Sequence, residues 1–254
     1  MYIKIFIFLV SGLLFSSNSS IEEGIDYYNK RADILDGIIP SQDNIEKAIS
    51  IFESHLDTDS DKVAGIYLVK SYYYMAQYIS QDEDVKVMYF ELAMTMAKQY
   101  ISKYPDSVDY LYWYLATMSN WAKNVGLWAI TKMGGGEEFR EKAVDVIVLD
   151  HEYENGGGYF LLGAVYFTAP RIPLISTWPN NSKAIKYFKK AVETGLATPL
   201  QQIYLARALL KEDMVEDCRE VLNEIIALTP NPSNLVEDMT YISEAESLLN
   251  QISK

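Results

Sequence analysis

The stretch from Pro199 to Pro230, "PLQQIYLARALLKEDMVEDCREVLNEIIALTP", constrains the fold more than any other part of the chain. Two apolar runs of helical period are joined there by a short polar turn at Glu212 and Asp213. Leu205 and Ala206 take the close-contact positions of the first run, and Cys218 takes the small-residue position of the second. Leu222 and Ile225 follow as its apolar positions, and Pro230 closes the unit. Cys218, with no flanking basic pair to lower its pKa, reads as a small buried hydrophobe at a helix crossing.

These spacings are those of a tetratricopeptide repeat, a helix–turn–helix unit of about 34 residues. Other segments carry the same second-helix pattern: Ala184, Phe188 and Ala191; Ala93, Ala97 and Tyr100 ahead of Pro105; Ala48, Phe52 and His55. The run Val144 to Val148 is β-branched, but its charged lead-in and the surrounding period favour helix. The coarse reading is eleven helices, at about 21–37, 42–57, 61–80, 83–104, 107–132, 137–150, 156–168, 182–195, 199–211, 214–228 and 233–252. One hairpin cannot bury its apolar stripe alone, so stacking must supply the core. The expected fold is all-α: a tetratricopeptide-like α-solenoid of about five helix hairpins and a C-terminal capping helix, in one domain spanning 20–254. Its concave face is a place to bind something.

The N-terminal segment 1–19 has a single early lysine, Lys4, an apolar run from Ile5 to Phe15 and small polar residues after it. This is the layout of a secretory signal peptide, and the run is short for a bilayer span. No cysteine stands near it to take a lipid, so the expected product is periplasmic or secreted. The chain has a formal charge of −13, which repels phosphate backbones and argues against a nucleic-acid partner.

Catalytic and metal chemistry is not visible, and no cofactor is expected. "HEYEN", from His151, lacks the second histidine of a zinc helix. "DTDSDK", from Asp57, lacks the glycine and the bidentate glutamate of a calcium loop and reads as a turn in which an aspartate caps the next helix. The glycine triplets at 134–136 and 156–158 lack the lysine that follows a phosphate loop and read as interhelical turns. No nucleophile motif is present, so the expectation is a protein that is not an enzyme.

Aromatic content is the unusual feature, with 20 tyrosines among 254 residues. Tyr114, Trp121 and Trp128 recur every seven residues and share a helix face. Such a stripe is either core or the lining of a ligand or partner site. A second oddity is the connection "FTAPRIPLISTWPNN", Phe167 to Asn181. The step from Gly163 to Ala184 is 21 residues where the regular unit has 12, from Ala206 to Cys218. Its three prolines make it stiff, and Arg171, Ile172 and Trp178 give it a basic group and an apolar body. Two readings stay open: it covers a cavity mouth or an oligomer interface, or it packs on its own hairpin. Candidate contacts are Tyr72, Tyr73, Trp113, Trp121, Trp128, Arg171 and Trp178.

Several of these features together bring a known family to mind. Pro105-Asp106, Tyr112-Trp113, Asn120-Trp121-Ala122, Gly157-Gly158, Leu162-Gly163, Tyr166 and Pro170 make the chain resemble the T-component proteins of tripartite ATP-independent periplasmic (TRAP) transporters, the TatT type. The resemblance implies a homo-oligomer, a trimer, that associates with the periplasmic solute-binding protein of a TRAP system and holds a small hydrophobic ligand. The alternative is a generic tetratricopeptide-repeat scaffold for envelope protein complexes.

Overall fold

A computed structural model describes residues 20–36, 39–40, 42–126, 135–169 and 179–253. The signal-peptide segment 1–19 lies outside these residues, as do Trp128, Arg171, Trp178 and most of the proline-rich connection. Among the described residues the fold is the expected α-solenoid. Its helices are α1 (Ile21–Asn29), α2 (Gln42–Ser54), α3 (Asp61–Tyr74), α4 (Glu83–Lys103), α5 (Val108–Val125) and α6 (Gly135–Leu149). They continue as α7 (Tyr153–Thr168), α8 (Asn181–Thr194), α9 (Pro199–Lys211), α10 (Val215–Ile226) and α11 (Leu235–Ile252). Odd and even helices pair into five hairpins, and α11 packs on α9 and α10.

The two helices of a hairpin differ in their burial. The outer helix α10 buries only Cys218, Leu222 and Ile225, one stripe at helical spacing. The inner helix α9 buries most of its length, from Pro199 to Leu209, because neighbours flank it on both sides. Its start is fixed by a capping box in which Thr198 and Gln201 each accept from the other's backbone N–H. At crossings the backbones approach closely. A side chain at Gly163 would place its Cβ 2.5 Å from the Phe188 ring, so only glycine lets α7 lie on α8 there.

Several boundaries differ from expectation. The helix anticipated over 21–37 ends at Asn29, and a short antiparallel ribbon follows, β1 (Ile34–Asp36) with β2 (Ile39–Pro40). Apolar residues at 34, 35, 38 and 39 had mimicked continued helical period. The helix anticipated over 107–132 is described to Val125, where Gly126 at φ 96° turns the chain out of the helix. After Tyr74, α3 widens into a π-helical turn, Met75–Ile79. The run Val144 to Val148 is helical, within α6. Gly157 and Gly158 are inside α7, packed against Tyr112 and Ile147 rather than free in a turn.

No aspartate of the turn caps α3 as expected: the N-cap is Ser60, and Asp61 is the first residue of the helix. It is buried, and its Oδ1 accepts from Tyr100 Oη at 2.6 Å and from the Asp57 N–H at 2.9 Å, while Lys103 Nζ donates to Oδ2 at 2.6 Å. The carboxylate thereby ties α3 to the end of α4.

The chain also closes on itself. Arg31, just after α1, donates from Nη2 to Asn234 Oδ1 at 2.6 Å and to Glu237 Oε1 at 2.7 Å, at the start of α11. Its guanidinium lies 4.4 Å from the Tyr28 ring centre and 5.3 Å from that of Tyr74. Tyr74 Oη donates to the Arg31 carbonyl at 3.1 Å, fixing the backbone that carries the side chain. Burial pushes the Glu237 carboxyl up, and the guanidinium beside it pulls the other way. The first hairpin is thus clasped to the last helix.

Two outcomes follow from these contacts. Arg31→Met leaves Glu237 buried without its partner, so a loss of about 3 kcal/mol is expected in a urea melt, with faster amide exchange in α11. For Asp61, burial works upward on the carboxyl, but the Lys103 and Tyr100 hydrogen bonds outweigh it and lower the pKa from 3.8 to about 2. A depressed folded pKa means stability that is full above the unfolded value and lost as pH falls toward the folded one. The wild-type chain should therefore lose about 2 kcal/mol between about pH 4 and pH 2, and Asp61→Asn should lack that component.

Candidate functional site: a tyrosine-lined central chamber

The clasp encloses a chamber of about 380 Å³. Every residue that lines it comes from α1, α3, α5, α7, α9 or α11, or from the turns leading into and out of these inner helices. The outer helices contribute none. This follows from hairpin stacking, which turns the first helix of each pair toward the axis of the curl.

Helical spacing places the lining side chains. On α3, Tyr67, Lys70, Tyr73 and Tyr74 recur at steps of three and four, and the π-helical turn brings Tyr78 to the same face. On α5, Trp113, Ala116, Asn120 and Lys123 do the same. Tyr73 and Trp113 meet edge to face, with ring centres 5.2 Å apart, and Asn120 Nδ2 donates to Tyr73 Oη at 3.1 Å. Across the chamber stand Tyr204 of α9 and Tyr241 of α11.

The wall at the start of α7 is strained. Glu154, Asn155 and Gly156 have φ of 48°, 56° and 80°, and the first two are not glycine. Left-handed backbone at such residues costs roughly 1–3 kcal/mol each and persists only where the surroundings hold it. Gln201 Nε2 holds it here, donating to the Asn155 carbonyl at 2.8 Å, while the Leu196 N–H donates to Asn155 Oδ1 at 3.2 Å. The result is a Glu154 side chain set beside the chamber, with Oε1 3.7 Å from Lys70 Nζ.

Burial governs the protonation of the walls. It pushes the Tyr241 hydroxyl up to about 12, and those of Tyr73 and Tyr78 well above the ordinary phenol value. Burial raises Tyr28 and Tyr112 likewise, with nearby Glu154 adding to the rise. These phenols keep their protons at neutral pH.

Of the seven residues proposed from sequence, Tyr73 and Trp113 line the chamber. Tyr72 does not. Its hydroxyl donates to Glu53 Oε1 at 2.8 Å and its ring faces Tyr89. Trp121 is half-buried and donates to Glu91 Oε1 at 3.3 Å, away from the chamber. The stripe of Tyr114 and Trp121 follows a different face of α5 from Trp113, and Tyr114 belongs to the core. Trp128, Arg171 and Trp178 lie outside the described residues. Missed were Arg31, Lys70, Tyr112, Glu154, Tyr204 and Tyr241. The run of three- and four-residue steps on α3 and α5 was the available signal for Lys70 alone among them.

The ends of the long connection are described. The Asn180 N–H donates to the Tyr166 carbonyl at 2.8 Å, and Asn180 Oδ1 caps α8 through the Lys183 N–H at 2.9 Å. Among the described residues no group of three or more His, Cys, Asp or Glu is placed to hold a metal ion, and no helix is long and apolar enough to cross a membrane.

The comparison with family models overturns the TRAP reading. The model that matches is that of "Regulator of microtubule dynamics protein 1-3", over residues 32–253, nearly the whole chain. Some of the residues behind the resemblance and the repeat pattern meet packing requirements of stacked hairpins. Ala184, Phe188 and Ala191 are fully buried at the α7–α8 crossing, Gly163 accommodates Phe188, and Gly157 accommodates Tyr112. Any closely stacked solenoid needs such residues, so they do not point to a transporter. The T-component identity and the role in TRAP uptake fall with that match, and it gives no support to a generic envelope scaffold either. No curated protein matches the chain. The match runs from just after Arg31 through α11 and covers every inner helix but α1: the chain belongs to the regulator of microtubule dynamics protein 1-3 family.

Proposed function

We propose that the chain works by binding, not by turnover, and that its central chamber holds a compact organic molecule with an apolar or aromatic body. The observation that carries this is the clasped, partly open chamber itself, whose inner helices turn a ring of tyrosines inward. A volume of about 380 Å³ sits at the small end of the range for ligand pockets, which suits a compact ligand rather than a long chain. Aromatic walls with polar tips offer apolar area together with hydrogen bonds that fix orientation. Two costly backbone features, the π-helical turn at Met75–Ile79 and the left-handed run at Glu154–Gly156, both shape this wall. Phenols that keep their protons act as donors and not as general bases, which supports a binding role. The family description names regulation, and a bound small molecule is a means by which such a protein is controlled.

The test is fluorescence titration of the chain with N-phenylnaphthylamine, a neutral dye that brightens in apolar surroundings. Saturable binding at one site is expected. Ala116→Trp, which fills the chamber from α5, should weaken it more than tenfold while the far-ultraviolet circular dichroism stays unchanged, and Ser119→Phe should do the same. Unaltered binding in both filled variants, or no binding to wild type, would overturn the reading.

A further inference from the structure

We infer that Lys70 anchors an acidic group, so that the chamber's ligand is an organic oxyanion carried on a compact ring body. This rests on the chamber reading above and narrows it to a chemical class.

Lys70 stands out among the cations of the described residues. Its side chain is only 18% exposed, yet its ammonium makes no hydrogen bond to any described residue. The nearest carboxylate oxygen, Glu154 Oε1, is 3.7 Å away, an ion contact beyond hydrogen-bond reach. The ammonium lies 5.3 Å from the Trp113 ring centre and 5.7 Å from that of Tyr67. An ammonium carries three donors, so one whose nearest carboxylate oxygen stands at 3.7 Å has donors to offer an acceptor in the chamber.

A second cation supports the same charge. Lys123 lies 5.5 Å from the Tyr204 ring centre and donates to Asn120 Oδ1 at 2.9 Å. No carboxylate among the described residues is within ion-pair distance of it. Tyr73, which accepts from Asn120, keeps its own proton to donate. Two of the three acids at the chamber have a hydrogen-bond partner: Glu237 has Arg31, and Asp238 has the Asn231 N–H at 2.8 Å. Glu154 alone is loosely held.

A cationic ligand fits less well. Four of the chamber's aromatic rings already carry a cation of the chain: Tyr28 has Arg31, Tyr67 and Trp113 have Lys70, and Tyr204 has Lys123. An oxyanion instead meets two ammonium groups with no hydrogen-bonded carboxylate, plus a phenol donor.

The test compares two dyes of one shape on the full chain, N-phenylnaphthylamine and its sulfonated form, anilinonaphthalene sulfonate. The sulfonate should bind about tenfold tighter, the order expected for one charge-assisted hydrogen bond. Lys70→Met should erase that gain and leave the neutral dye within about twofold of wild type, whereas Lys70→Arg should keep most of it. Lys86→Met, on the outer helix α4, should change neither dye. Equal affinities for the two dyes, or a gain that survives Lys70→Met, would overturn the inference while leaving the chamber reading intact. Failure of the neutral dye to bind would overturn the chamber reading first, and this inference with it.

Discussion

The structure depends on one ion pair that spans almost the whole chain. Hairpins stacked in sequence form an open spiral, and nothing in nearest-neighbour packing obliges its two ends to meet. Arg31 and Glu237 make them meet. The guanidinium donates to Glu237 Oε1 and Asn234 Oδ1 on one side and lies against the rings of Tyr28 and Tyr74 on the other. A buried ion pair is seldom a net gain over apolar packing, but losing one partner is expensive. Its consequence here is geometric: it converts a concave groove into a chamber.

Closure in turn explains why the inner wall breaks local rules. The outer helices are regular and amphipathic, as α10 shows with its single buried stripe. The inner wall carries a π-helical turn, a left-handed run that includes Glu154 and Asn155, and a lysine with no hydrogen bond among the described residues. The π-helical turn and the three consecutive left-handed residues are both on this wall. Local rules bend where a site is built, and the surrounding contacts, above all Gln201 on the Asn155 carbonyl, hold the bent backbone in place.

Much of the fold was legible because it rests on local period and on residue size. The steps from Ala184 to Phe188 and Ala191, and from Cys218 to Leu222 and Ile225, are direct consequences of one helix lying on another, and all six are fully buried. The chamber was legible only in fragments. Tyr73 and Trp113 were singled out from aromatic clustering, but the seven-residue stripe through Tyr114 and Trp121 drew attention to the wrong face of α5. Glu154 owes its position to Gln201, 47 residues away, and Arg31 owes its role to a partner 206 residues away. No local pattern encodes such pairs. The same limit misdirected the family reading, because small residues at helix crossings report close packing and not a partner.

The most direct test of closure is a double-mutant cycle on Arg31→Met and Glu237→Gln, read by urea unfolding of the full chain. A clasped chamber predicts a coupling energy of about 2 kcal/mol between two residues at opposite ends of the sequence, with the double variant little worse than either single one. Additive losses would mean that the ends of the solenoid do not hold each other, and that the chamber is an open groove.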